Sequence, residues 1–276
     1  MLSPPQAEIV VDLIRKNARM LRRERCKPLR LINSLIWSRE AHVPDRFLLP
    51  FSSSLSRIVE ESRFDRSALP SAVGSLFMRN RRCGAENLAA LKAFGAKILK
   101  EFGAATEDAV LTGDGAALAG LYQDPGALPA VDLEALLRDG TCANGNQPRE
   151  LGPPADDWSE KIQFGSARWR KPRPALLITL FAAHVGDASN SPAPPVWPHL
   201  GLALLVWKDR VGIKEILDMG KKLKQPAEVE RGLAIAAHIF PELAGWIGTQ
   251  KLAIPRWERR LAIPLAARRI VAGERE

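Results

Sequence analysis

The chain has 276 residues, 46% of them apolar and 26% charged. That is the balance of a globular protein with room for one large domain or two small ones, and it excludes fibrous and wholly disordered classes. Forty Lys and Arg against 31 Asp and Glu give a formal charge of +9.

Ser3-Pro4-Pro5-Gln6 reads as a helix start, with Ser3 as N-cap and Pro4 at the first helical position. Ile9, Val10, Leu13, Ile14, Met20 and Leu21 then recur at helical spacing. Beside them Arg15, Lys16, Arg19, Arg22, Arg23, Arg25 and Lys27 form a basic face that suits a nucleic-acid backbone. A second helix is expected to begin within Leu31–Trp37. Pro44, Pro50 and Pro70 then punctuate the chain, with short helices expected over Ser54–Ser62 and Ala72–Met78. Glu86–Phe102 carries Leu88, Leu91, Phe94, Ile98 and Leu99 on one side and reads as a further helix.

The pattern then changes. Asp108–Gly113 reads as a short buried strand ending at glycine, Ala116–Tyr122 as a short helix, and Asp124-Pro-Gly126 as a turn. Pro129–Leu137 reads as a second strand, with Val131, Leu133 and Ala135 on one face and Asp132 and Glu134 on the other. Gly140–Pro174 is rich in loop formers, with one strand expected near Lys161–Phe164. Ala175–Ala183 is β-like, a buried helix being the alternative, and Ser189–Pro198 is a proline-rich linker. From His199 onward helices are expected over His199–Trp207, Ile213–Leu223, Ala227–Phe240 and Ala244–Ile247. A basic amphipathic stretch, Pro255–Ala272, follows.

Charge divides the chain in the same places. Residues 1–100 hold 19 basic and 9 acidic residues, residues 101–160 hold 2 and 12, and residues 161–276 hold 19 and 10. An acidic centre between basic flanks suits either a carboxylate site with phosphate-attracting walls or mutual neutralisation across the fold. Cys26, Cys83 and Cys142 are scattered and form no CxxC pair, and His42, His184, His199 and His238 have no zinc spacing. No run of 18 uncharged apolar residues and no signal-peptide pattern is seen, so a reduced, cytoplasmic protein without a membrane span is expected.

The informative segment is Val110-Leu-Thr-Gly-Asp-Gly-Ala-Ala-Leu-Ala-Gly-Leu-Tyr122, followed by Val131-Asp-Leu-Glu134. A strand, a glycine-rich turn and a helix start can cradle a triphosphate on backbone N–H groups. Carboxylates at i and i+2 of a strand point to one side and can share divalent ions. The two stretches resemble the LTGGxALAGxY…DLDL signature of nucleotidyltransferase-fold proteins. The nearest likeness is to abortive-infection nucleotidyltransferase toxins and to uncharacterised bacterial nucleotidyltransferases, the latter through Tyr122–Gly126 and Pro129–Asp132. Gly212–Gly220 is similar to a helix that follows the catalytic domain in both groups.

The resemblance implies an α/β (α+β) fold in three parts: a helical N-terminal segment over 1–80, a small mixed sheet of nucleotidyltransferase type over 81–187, and a C-terminal helical bundle over 198–276. It implies Mg²⁺ on Asp132 and Glu134 as catalytic and metal residues, and an NTP held at Gly113, Asp114 and Gly115. The reaction would be metal-dependent transfer of a nucleotide to an RNA or protein acceptor. Four departures are visible, the first being Leu128 where the family has an arginine before the aspartates. Asp114 stands where the family has Gly or Ser, Glu134 replaces the second aspartate, and a third carboxylate has only loop candidates, Asp156, Asp157 and Asp187. These departures imply the alternative of a catalytically inactive relative that binds a protein or nucleic acid. In either reading Arg15, Arg19, Arg22, Arg23, Arg168, Trp169 and Arg170 are the expected contacts to tRNA, another nucleic acid or a protein partner. Trp169 would stack a base among its basic neighbours.

Overall fold

The computed structural model describes residues 2–22, 28–61, 69–129, 131–143, 149–150, 156–164, 166–187 and 197–248. Four helices come first: α1 (Pro4–Leu21), α2 (Pro28–Glu40), α3 (Asp45–Glu61) and α4 (Ser71–Phe102). Strand β1 (Val110–Thr112) runs into a one-turn helix, α5 (Gly113–Ala116), which continues as a π-helical turn over Ala117–Tyr122. Then come β2 (Leu133–Leu136), β3 (Thr141–Ala143), β4 (Arg149–Glu150), β5 (Ser159–Phe164) and β6 (Ala167–Pro172). Helices α6 (Pro174–Gly186), α7 (Trp197–Trp207), α8 (Ile213–Lys222), α9 (Pro226–Ile239) and α10 (Ala244–Gly248) close the described chain. The fold is mixed α/β. No helix among the described residues is long and apolar enough to cross a membrane.

The chain forms two compact units, Cys26–Arg173 and Met1–Arg25 with Pro174–Glu276. The boundaries differ from the three-part division expected from the sequence. Helix α1 belongs with the C-terminal helices, and α2 and α3 belong with the sheet.

In the sheet-bearing unit the strand order is β4-β3-β2-β1-β6-β5. β1 pairs antiparallel with β2, Val110 opposite Leu136 and Thr112 opposite Glu134, and parallel with β6, Val110 beside Arg170. One face of the sheet packs on α4. Leu91, Phe94 and Ile98 of the helix meet Leu111, Leu133, Ala135, Leu137, Phe164 and Trp169. Because strand side chains alternate, the same register sends Thr112 and Glu134 to the opposite face. Helix α4 ends in a left-handed cap, Gly103 at φ +64°, whose N–H donates to the Leu99 carbonyl at 3.1 Å.

Three expectations are corrected here. Ala72–Met78 and Glu86–Phe102 are one 32-residue helix, because Asn80 and Asn87 take buried places that apolar residues would otherwise mark. Asn87 Nδ2 donates to the carbonyls of Pro125 and Leu128 at 2.6 and 2.9 Å, so burial leaves it satisfied. Pro50 lies inside α3 rather than ending a segment, and Ser54 Oγ takes up the Pro50 carbonyl at 3.2 Å. The stretch 140–174 holds four strands where one was expected.

The helical unit is built on α6 and α9. Ala175–Ala183 lies within helix α6, not a strand, buried along almost its whole length. Gly186 and Gly232 let α6 and α9 approach closely: a β-carbon at 186 would lie 1.8 Å from the Glu228 carbonyl oxygen, and one at 232 lies 1.9 Å from that of Ala182. Helix α1 starts as expected, with a capping box between Ser3 and Gln6. The four C-terminal helices expected from 199 onward form, α7 beginning two residues earlier at Trp197. Pro255–Ala272 and most of Ser189–Pro198 lie outside the described residues.

Candidate functional site

The strand expected over Asp108–Gly113 forms as Val110–Thr112 and turns sharply at Gly113. Gly113 adopts φ +55°, a left-handed conformation that strains any residue with a β-carbon. A β-carbon there would also come within 3.4 Å of Glu134 Oε2 and 3.5 Å of the Asp132 carbonyl oxygen. The turn thus holds β1 against the start of β2, where Gly113 and Leu133 form one more antiparallel bridge.

Three carboxylates meet at this end of the sheet. Asp132 is exposed immediately before β2, Glu134 is half-buried on β2, and Asp114 sits at the second residue of α5. Asp114 Oδ2 accepts the Asp132 backbone N–H at 3.1 Å. Burial, and then the charges of Asp132 and Glu134, push the Asp114 carboxyl up to about 6, against the opposing pull of the Asp132 N–H. The Asp114 charge in turn adds to burial in holding the Tyr122 hydroxyl well above the ordinary phenol range. Tyr122 is buried at the end of the π-helical turn. Its place beside Asp114 was not foreseen from spacing, because a π-turn shifts side chains off the 3.6-residue period.

Gly115 does not open toward a ligand. It is buried, and a β-carbon there would press on Leu111 Cδ2 at 3.2 Å and Leu133 Cδ2 at 3.3 Å. Its smallness makes room for the core, which corrects the expectation that both glycines approach a triphosphate. The strand beside β1, β6, carries Arg168, Arg170 and Lys171 and no carboxylate. Of the loop candidates for a third acidic ligand, Asp157 is exposed in the turn before β5 and Asp187 belongs to the helical unit. Among the described residues no three His, Cys, Asp or Glu side chains converge to hold a metal ion.

The expected partner contacts divide. Trp169 is 0% exposed and stacks on Phe94, ring centroids 5.9 Å apart, within the core. It is therefore not a base-stacking platform. Arg168 is exposed, and Arg170 is half-buried with its Nε donating to Ser159 Oγ at 2.8 Å. In the helical unit Arg15 makes a bidentate pair with Glu242, at 2.7 and 3.0 Å, and Arg22 pairs with Asp209. Arg19 is exposed, and Arg23 lies outside the described residues. Much of the basic face of α1 is therefore spent inside its own unit.

No protein family, curated protein or solved structure matches the chain.

Proposed function

We propose that the sheet-bearing unit is a divergent nucleotidyltransferase-like fold that has given up nucleotide transfer and acts by binding a partner. One observation carries this reading: the Asp114 carboxylate occupies the turn after β1 and is bound there to the Asp132 N–H. A triphosphate cradled by that turn would have to share it with a carboxylate, at a cost in charge repulsion that free backbone N–H groups do not impose. The order strand, glycine turn, helix, strand, with β1 and β2 paired in register, supports the likeness to the fold.

Among the described residues no three His, Cys, Asp or Glu side chains converge on a resident Mg²⁺. Asp132 and Glu134 supply two carboxylates, β6 offers none, and one oxygen of Asp114 is already an acceptor. Near-octahedral Mg²⁺ at such a pair would have to complete its shell with waters or substrate phosphates. The partner is a protein or a nucleic acid, with Arg168 left exposed on β6 for a phosphate backbone and Trp169 not among the contacts.

One observation favours the second reading, an active transferase moving a nucleotide from an NTP to an RNA or protein acceptor. Asp132 and Glu134 face one side at the mouth of the turn, as a metal pair would. Replacing Asp114 with Ser separates the two. If the carboxylate is what closes the turn, the wild-type protein binds no Mg-NTP and Asp114→Ser gains measurable affinity. Metal-dependent binding by the wild type, lost in Asp132→Asn, establishes the transferase.

A further inference from the structure

Strand β5 is the last strand of the sheet, and among the described residues no strand lies beyond it. All six of its residues pair one to one with β6, without a bulge. Residues 160–163 are exposed apart from a half-buried Ile162. In an antiparallel pair, residues that exchange hydrogen bonds alternate with residues that do not. The Arg173 N–H donates to the Trp158 carbonyl at 2.8 Å, so Glu160 and Ile162 continue the bonded series. Lys161 falls between them. It lies opposite Arg170, whose own N–H is turned the other way and donates to the Ala109 carbonyl at 3.3 Å. The Lys161 N–H and C=O therefore point away from β6, out of the edge of the sheet. Such an edge is a template for one more strand.

Charge decides which strand fits there. Glu160 lies opposite Lys171 on the face toward α4 and pairs with it at 3.0 Å. One residue on, Lys161 lies opposite Arg170 on the other face, and like charges directly opposite destabilise a sheet. Arg168 is the diagonal neighbour of Lys161 on that same face. Lys161 and Arg168 are both exposed, and neither makes an ion pair among the described residues. No carboxylate of β5 or β6 lies on that face. A second copy of β5 would bring another Lys161 there and raise the repulsion. A strand with carboxylates at alternate positions relieves it, its other side chains turning to the α4 side beside Ile162. A nucleic acid meets the cations but has no peptide ladder for the edge.

We propose that the outer edge of β5 binds an extended acidic segment of a partner protein as a further strand, with alternate carboxylates over Lys161 and, one strand further in, Arg168. This rests on the reading of the unit as a binder and names the class of partner. The nucleotide titrations that test that reading involve other residues, so the failure of one is distinct from the failure of the other. Fluorescence anisotropy of the full chain with a labelled peptide alternating Glu and Val tests it. The peptide should bind with Kd on the order of 10 µM. Lys161→Glu should weaken binding about tenfold, and Arg168→Glu by less. Lys161→Ala removes the charge alone. Lys161→Pro also removes the outward N–H without breaking a bond to β6, and should bind about tenfold more weakly than Lys161→Ala, with an unchanged far-UV circular dichroism spectrum. No binding up to about 1 mM peptide overturns the proposal. So does equal affinity for a peptide alternating Lys and Val, or tighter binding of an oligothymidylate of equal charge. Equal affinity of Lys161→Pro and Lys161→Ala overturns the added strand.

Discussion

A half-buried carboxyl beside two other carboxylates resists ionisation, and Asp114 shows the consequence. Its carboxyl titrates near 6 in the fold and near 3.8 in an unfolded chain, so between those values the folded state holds the proton that the unfolded state has lost. Stability of the sheet-bearing unit therefore falls as pH rises from about 4 to about 6, by up to about 3 kcal/mol. Asp114→Asn keeps an oxygen to accept the Asp132 N–H and removes the charge. Urea titrations at pH 7.5 should find it more stable than wild type by about 1–3 kcal/mol, with the slope between pH 4 and 6 flattened. Equal stability at both pH values would show that the carboxyl is solvated. The carboxylates Asp132 and Glu134, and Gly113, are legible in the sequence because alternation and turn chemistry are local rules. The sequence did not reveal that Asp114 bonds back to Asp132 or that Gly115 faces the core, because both depend on how β1 and β2 pair.

At the scale of elements, the turn after β1 and the α6–α9 crossing depend on single glycines for different reasons. Gly113→Ala places a β-carbon on a left-handed residue and should cost about 1–2 kcal/mol in chemical denaturation. Gly232→Ala would push a methyl to 1.9 Å from the Ala182 carbonyl oxygen, a backbone atom that cannot swing aside. Helix separation should cost about 3 kcal/mol or more there, enough to lower the melting temperature by several degrees. A Gly232→Ala protein as stable as wild type would mean that α6 and α9 do not cross so closely. Elements with clean periodicity were recoverable in advance, α1 with its capping box and the helices α7 to α9 among them. Those without it were not. Helix α6 is apolar on every side, so period alone cannot separate it from a buried strand. Strand β6 alternates Ala167 and Trp169 inward with Arg168 and Arg170 outward, a pattern that a basic run conceals. Helix α4 hid its middle behind buried asparagines.

Across the whole molecule, the acidic centre and basic flanks do not simply neutralise each other: Arg15 and Arg22 find Glu242 and Asp209 in the C-terminal third instead. The two units should also answer pH with opposite signs. His199 is buried in the helical unit beside Phe181, and burial lowers its imidazole from 6.5 to about 4. As pH falls through that window the unfolded chain takes up a proton that the folded unit refuses. The helical unit should lose about 1.4 kcal/mol per pH unit below 6.5, levelling near pH 4. His199→Gln should abolish that acid-side loss while leaving the rise in Asp114 cost untouched, as thermal melts of wild type and variant from pH 4 to 8 would record. An unchanged acid slope in the variant would place the proton uptake elsewhere. Composition indicates a globular chain, and the expected helices and strands with the family resemblance a mixed α/β one; neither indicates that α1 joins the C-terminal helices, since that division rests on long-range packing.

The most direct measurement is calorimetric titration of the purified chain with ATP, GTP, CTP and UTP in the presence of Mg²⁺, with Asp114→Ser and Asp132→Asn alongside. A turn closed by Asp114 predicts no binding to the folded wild type and weak binding once the carboxylate becomes a hydroxyl. Metal-dependent binding to the wild type that disappears in Asp132→Asn would contradict it, and would make this site a working nucleotide site.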